Sequence, residues 1–187
     1  MDCADIAVVI LAAGLGRRFG GDKLMAPLGD LPLGVHIGQT LSNMGFGWRF
    51  AVCGAGSAIA VHYVDLGFQI IENVSPEAGQ AHSLHLAIGA VSATPARALL
   101  VTLADMPFVP ESHLRAVARA GVLTASNNGT ANMPPALFPR ESWPDLLTTS
   151  GDRGGAALLG SARTIAIEPV HLRDIDVPDD LIRPTGS

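Results

Sequence analysis

Residues 6 to 13 read IAVVILAA and carry no polar side chain. The run stops at Gly14, and a stretch with Gly14, Gly16, Gly20 and Gly21 follows, interleaved with Arg17, Arg18 and Lys23. A buried strand that empties into a glycine-rich, basic loop can go into few folds. Glycine lets backbone N–H groups approach an anion closely and supplies positive φ where a turn demands it. The cations lie outside the apolar run, where a charge is not trapped in the core. The loop therefore suits phosphate binding. The plainer alternative is a glycine-rich turn whose arginines are solvated.

The rest of the chain repeats the strand-then-helix rhythm. Leu33 to Met44 reads as a helix closed by Gly45, and Trp48 to Cys53 as a short strand ending at Gly54. Ser57 suits the N-cap of a helix reaching Leu66. Phe68 to Glu72 is a third strand, and Gly79-Gln80-Ala81-His82-Ser83 opens a helix to about Val91. Arg97 to Leu103 (RALLVTL) is apolar enough for the centre of a parallel sheet. It ends at Ala104-Asp105-Met106-Pro107, and Pro110 then starts a helix over Glu111 to Ala120, closed by Gly121. Alternating strands and helices predict a Rossmann-like, three-layer α/β/α fold with a mostly parallel sheet. Beyond Gly121 the rhythm loosens. Val122 to Ala125 and Ala162 to Glu168 read as strands, and Asn127-Asn128-Gly129 as a turn. Pro134 to Phe138 is a short strand at best. Glu141 to Leu147, Arg153 to Gly160 and a last turn after Pro178 read as helical.

Composition bounds what such a fold can serve. With 48% hydrophobic and 16% charged residues over 187 positions, one domain with a sizeable core is expected and disorder is excluded. The formal net charge of −5 argues against nucleic-acid binding, which needs a broad basic field. An anionic ligand would have to be held by the local basic loop or by a metal. Cys3 and Cys53 make no disulfide framework; Cys53 is expected in the core and Cys3 exposed near the N-terminus. The opening residues lack the basic segment of a signal peptide, and no apolar stretch is long enough to span a membrane. A cytoplasmic location is expected.

Two common glycine motifs fail on spacing. Counting from Gly14, the sixth position of a dinucleotide fingerprint falls on Phe19, and no acidic residue ends the second strand at Cys53-Gly54. The mononucleotide P-loop wants Gly-Lys-Ser/Thr, whereas Gly21 is followed by Asp22, Lys23 and Leu24. The pattern that matches is LAAGxGxRFGxxK, here Leu11-Ala12-Ala13-Gly14-Leu15-Gly16-Arg17-Arg18-Phe19-Gly20-Gly21-Asp22-Lys23. It resembles the signature loop of the MobA-like nucleotidyltransferases, most closely the molybdenum cofactor cytidylyltransferase and guanylyltransferase group. Further segments carry the resemblance in order: GQAHSL from Gly79, LVTLADMP from Leu100, GDRGGAALL from Gly151 and DIDVPDDL from Asp174.

The resemblance implies transfer of a nucleoside monophosphate from its triphosphate to a phosphate-bearing acceptor, with release of pyrophosphate. It implies a nucleotide-binding part over about residues 1–110 and an acceptor-binding part over about 111–187 of the single domain. Leu11, Ala12, Ala13, Gly14, Gly16, Arg17 and Lys23 would bind nucleotide, with Gln80 and Ser83 as contacts to base or ribose. Ser83 is alternatively a helix N-cap. Arg17, Lys23 and Asp105 would be catalytic, while Arg18 is expected in solvent. Asp105 and Asp176 would hold Mg²⁺, an ion that takes one or two carboxylates plus phosphate oxygens. Asp105 is otherwise a turn-capping residue before Pro107. Asp179 and Asp180 read as helix N-terminal charges. In the resembling group LAAG goes with cytidine nucleotides and LAGG with guanosine nucleotides, so Ala12-Ala13 favours CTP. The implied acceptor is a molybdopterin-type cofactor, and a molybdenum hydroxylase or its chaperone would receive the product. Two departures bear on the acceptor. Asn132-Met133-Pro134-Pro135 replaces a Gly-x-Pro, and Gly155-Ala156 follows Gly154 where an arginine is usual, leaving Arg153 or Arg163 to compensate. GTP with the same acceptor, a sugar- or alcohol-phosphate acceptor, and a non-catalytic nucleotide- or cofactor-binding protein are the alternatives.

Overall fold

Strand β1 (Ile6–Ala12) is buried at every position, in a computed structural model that describes residues 1–14, 16, 19–151 and 155–181, with only the backbone at Pro178 and Asp179. It pairs in parallel with β4 (Trp48–Gly54) on one side and β6 (Ala98–Leu103) on the other. Between β1 and β4 lie a small hairpin, β2 (Pro27–Leu28) with β3 (Leu31–Pro32), and helix α1 (Val35–Ser42). Helix α2 (Ile59–Asp65) leads to β5 (Gln69–Asn73), and α3 (Gln80–Ser92) leads to β6. After β6 come α4 (Glu111–Arg119), β7 (Thr124–Asn127), β8 (Asn132–Pro139), the short helices α5 (Trp143–Leu146) and α6 (Ala156–Leu159), and β9 (Arg163–Ala166).

The main sheet has seven strands in the order β5-β4-β1-β6-β8-β7-β9. Only β8 runs against the others, since β6 and β7 pair with it antiparallel and β9 pairs with β7 in parallel. Alternate residues of β1 feed opposite faces, as the period of a strand requires. Ile6, Val8 and Ile10 pack with Leu41 of α1, Tyr63 of α2 and Leu114 of α4. Ala7, Val9 and Leu11 pack with Leu84 and Ile88 of α3, Leu146 of α5 and Leu159 of α6. This is the expected α/β/α sandwich. Each fully buried Leu or Ile contributes about 1.5–3 kcal/mol of hydrophobic stabilisation. The buried Thr102 of β6 satisfies its hydroxyl by donating to Val9 O at 3.0 Å.

Strand β8 is eight residues long and internal to the sheet, although Pro134 to Phe138 read as a short strand at best. The register explains it: Ala125 pairs with Ala136 but Ser126 pairs with Met133, so Pro134 and Pro135 sit at the irregularity, where no ladder N–H is called for. Cys3 is buried, not exposed, because Cys3–Asp5 folds as a 3-10 turn against the chain before β4, with Gly47 N–H donating to Cys3 O at 3.3 Å. Burial pushes its thiol up, and pushes the core thiol of Cys53 up to about 12. Ser57 lies just ahead of α2, whose N-cap position is Ala58. The helix expected from Arg153 is the short α6, and Arg153 itself, with Asp152, lies outside the described residues. Among the described residues no helix is long and apolar enough to cross a membrane.

Candidate functional site

The chain turns from β1 to β4 on one side of the sheet and then crosses back to lay β6 on the other side of β1. In open α/β sheets, the crevice at the carboxyl ends of such a strand pair is where ligands bind. Here those ends are tied together, Ala104 N–H donating to Leu11 O at 3.1 Å. Above them opens a cleft of about 770 Å³.

The glycine loop forms one wall. Gly16 has φ of +55° and its missing Cβ would stand 3.3 Å from Lys23 Cβ, so a side chain there would be strained and would press on the lysine stem. Lys23 begins a 3-10 turn, Lys23–Met25, whose Leu24 is buried. The turn is fastened to the segment before α1 by Gly34 N–H to Leu24 O at 3.0 Å and Leu33 N–H to Ala26 O at 2.8 Å. Its ammonium therefore has a fixed origin. Lys23 Nζ donates to Asp105 Oδ2 at 2.8 Å and to Asp176 Oδ1 at 3.2 Å. Asp105 follows β6 directly, while Asp176 comes from the segment after β9. The two carboxylates thus converge on one cation from chain positions 71 residues apart (176 − 105). Burial alone would push the ammonium down, but Asp105 first and then Asp176 outweigh it and hold Lys23 above the usual lysine range.

A pair of carboxylates converging on a point where positive charge already sits fits a hard divalent cation that completes its shell with phosphate oxygens and water. Asp105 and Asp176 are the residues that would hold it. Among the described residues no group of three or more His, Cys, Asp or Glu side chains gathers as a metal cluster.

The structure brings nearly the whole set of sequence-predicted residues to this one cleft. Leu11, Ala12, Ala13, Gly14, Gly16, Lys23, Gln80, Ser83, Asp105 and Asp176 all line it. Arg17 and Arg18 lie outside the described residues. Ser83 does not cap a helix: Gly79, with φ of +89°, holds the N-cap position of α3, and Ser83 is inside the first turn. Its hydroxyl accepts from Asn73 Nδ2 at 2.9 Å. Asn73, completely buried at the end of β5, also accepts Ser75 N–H on Oδ1 at 2.9 Å. Sequence reasoning missed Asn73 and the 74–79 wall that it anchors. An amide at the carboxyl end of a strand was the available signal. Asp180 lies in the first turn of the 3-10 helix Pro178–Leu181, as expected of a helix N-terminal charge, and its carboxylate also accepts the N–H groups of Asp176 and Val177. The rings of His36, His85 and His171 each contact a backbone carbonyl outside the cleft, as expected of structural histidines.

Comparison with known proteins accords with this geometry. The family model described as MobA-like NTP transferase domain matches residues 8–166. A molybdenum cofactor guanylyltransferase of Rhodobacter capsulatus is 28% identical over 184 residues, covering 95% of this chain and 94% of that protein. Another, from Mesorhizobium japonicum, is 31% identical over 149 residues, covering 73% of this chain and 68% of that protein. The Rv0371c protein of Mycobacterium tuberculosis, solved as a complex with manganese, superposes with a TM-score of 0.77 at 26% identity and covers 94% of this chain and 95% of that one. With its signature loop, sheet order and convergent carboxylates accounted for, the chain belongs to the family of MobA-like NTP transferases.

Proposed function

We propose that the protein transfers CMP from CTP to a molybdopterin-type molybdenum cofactor and releases pyrophosphate, with Mg²⁺ held by Asp105 and Asp176. The observation that carries this reading is the convergence of Lys23, Asp105 and Asp176 beside the glycine loop. An acceptor phosphate oxygen attacks the α-phosphorus in line. One P–O bond forms, the bond to the bridging oxygen breaks, and its electron pair leaves with pyrophosphate. Such a displacement needs positioning and charge stabilisation more than covalent help. Backbone N–H groups around Gly14 and Gly16 cradle the triphosphate. Lys23, together with Arg17, pairs with its oxygens and stabilises the charge gathering on the leaving group. The metal, when bound, neutralises phosphate oxygens and orients them. Residues 1–110 or so serve the nucleotide, and those from about 111 onward serve the acceptor.

By the resemblance, Ala12-Ala13 supports cytosine. The wall opposite carries the Ser83 hydroxyl and the Gln80 amide but also the Glu77 carboxylate, an acceptor of the kind that guanine's two edge N–H groups would use. The names of the two curated relatives favour GTP instead, with the same acceptor. The product would pass to a molybdenum hydroxylase or its chaperone in the cytoplasm. Pyrophosphate release from CTP and from GTP, with purified molybdenum cofactor and Mg²⁺, decides between them. Turnover with CTP alone is the expected result, turnover with GTP alone replaces the base, and turnover with neither overturns the reading.

A further inference from the structure

Asp176 reaches the cleft on a stretch of chain that belongs to no strand of the sheet. The stretch is anchored on its inner side by Ile175, which is fully buried against Leu28 and Leu33, and by Ile175 N–H donating to Asp105 O at 3.0 Å. Those contacts fix residue 175 but leave the rotation of the next peptide units open. The next fixed point is Asp180, in the 3-10 turn Pro178–Leu181. Asp180 Oδ2 accepts from Asp176 N–H at 2.9 Å and from Val177 N–H at 3.0 Å, and Asp180 N–H returns to Val177 O at 3.0 Å. Arg173, on the other flank, donates to the Asp180 carbonyl and stands 3.9 Å from Asp180 Oδ1. The two flanks of Asp176 are thereby closed into a loop.

We propose that Asp180 is a positioning residue: by accepting the N–H groups of residues 176 and 177 it sets the direction in which the Asp176 carboxylate enters the cleft. The inference rests on the reading of Asp176 as a metal ligand, and it assigns Asp180 a role that a solvated helix-end charge would not have. A helix-end charge acts through a field that any nearby acid can supply. An acceptor bonded to two particular N–H groups acts through geometry, and groups that orient a metal's ligands typically change its affinity about 10- to 100-fold.

The test measures Mn²⁺ binding to the full chain by electron paramagnetic resonance, without nucleotide or turnover, alongside thermal melting. Asp180→Ala should weaken Mn²⁺ binding about tenfold or more, with the melting temperature little changed. Asp180→Asn retains an amide oxygen for the same two N–H groups and should keep most of the affinity. Asp176→Ala serves as the reference for losing the ligand itself. If Asp176→Ala weakens Mn²⁺ binding and Asp180→Ala does not, the positioning role is overturned while the metal reading stands. If Asp176→Ala leaves Mn²⁺ binding intact, the metal reading falls and takes the positioning role with it. Equal losses in Asp180→Asn and Asp180→Ala overturn the hydrogen-bond account. If Asp180→Ala does not fold, Asp180→Asn with native affinity supports the role and Asp180→Asn with lost affinity overturns it.

Discussion

Asp105 and Asp176 meet the same ammonium but are delivered by different kinds of structure. Asp105 lies just past β6, a strand paired with β1 on one side and β8 on the other. Its position is inherited from the sheet, through Ala104 N–H on Leu11 O. Asp176 lies beyond the last strand, on a segment held by the buried Leu172 and Ile175 and by a few polar contacts. A close-packed sheet cannot shift one strand end without disturbing many contacts, whereas a segment closed by hydrogen bonds can reorient at lower cost. On the proposed function, the first carboxylate would set where the chemistry happens and the second would complete the site.

The largest effect expected is at Asp105. Asp105→Ala should reduce metal-dependent pyrophosphate release to background while circular dichroism and melting stay native. Lys23→Ala comes next, with a loss of roughly 10²-fold or more in kcat/KM, the scale for removing one preorganised charge contact. Lys23 draws on both regions, because Asp105 and Asp176 each bond it. Asp176→Ala should fall short of both, below about 10²-fold, since its segment makes only the outer half of the site. Steady-state kinetics with titrated Mg²⁺ read the order. An Asp176→Ala loss matching that of Asp105→Ala would break the asymmetry argued from the fold.

The same contrast governs what was legible in the sequence. The β1 run, the loop glycines and Asp105 announce themselves because strand burial and a strand-end ligand site follow from local pattern. Lys23 and Asp176 were nameable through the resemblance, and the structure then brought both to Asp105. What stayed hidden depends on tertiary context. Pro134 to Phe138 read as a short strand at best because the place of Pro134 and Pro135 at a register shift is invisible until β7 lies alongside. Asn73 fell just past the strand expected over Phe68 to Glu72 and drew no reading, since its bond to Ser83 exists only once α3 packs back. Cys3 read as exposed because a terminal residue gives no hint of the Gly47 turn that covers it. Asp180 read only as a helix N-terminal charge because a carboxylate that turns back to bond its own segment has the same sequence as one that acts through the helix dipole alone.

The mildest perturbation bears on the second half of the chain, through pH. His113 on α4 is buried, and its Nε2 stands 2.8 Å from Ser126 Oγ. Ser126 donates its single hydroxyl proton to Pro135 O at 2.7 Å, so its oxygen accepts and His113 Nε2 carries the proton. The neutral ring is therefore satisfied where β7 meets β8. Burial first, and then the neighbouring His171, hold its pKa below the ordinary histidine value of 6.5. His171 belongs to the chain leading toward Asp176, and its Nδ1 lies 3.1 Å from Phe108 O, close after Asp105. A histidine whose folded pKa is depressed leaves the unfolded state binding more protons near and below pH 6.5, so stability must fall as pH falls through that range and be fully present above it. Melting temperature should accordingly drop between pH 7.5 and 5.5 by a modest amount, and His113→Gln should flatten that drop while lowering the melting temperature at neutral pH. The Mn²⁺ affinity of the variant at pH 7.5 sharpens the contrast between the two carboxylates. An unchanged value means the sheet-borne Asp105 and its neighbours are insulated from this corner of the fold. A loss would show that the path through His171 and Phe108 reaches the site, and the outer region would then be coupled to the sheet more tightly than its few contacts imply.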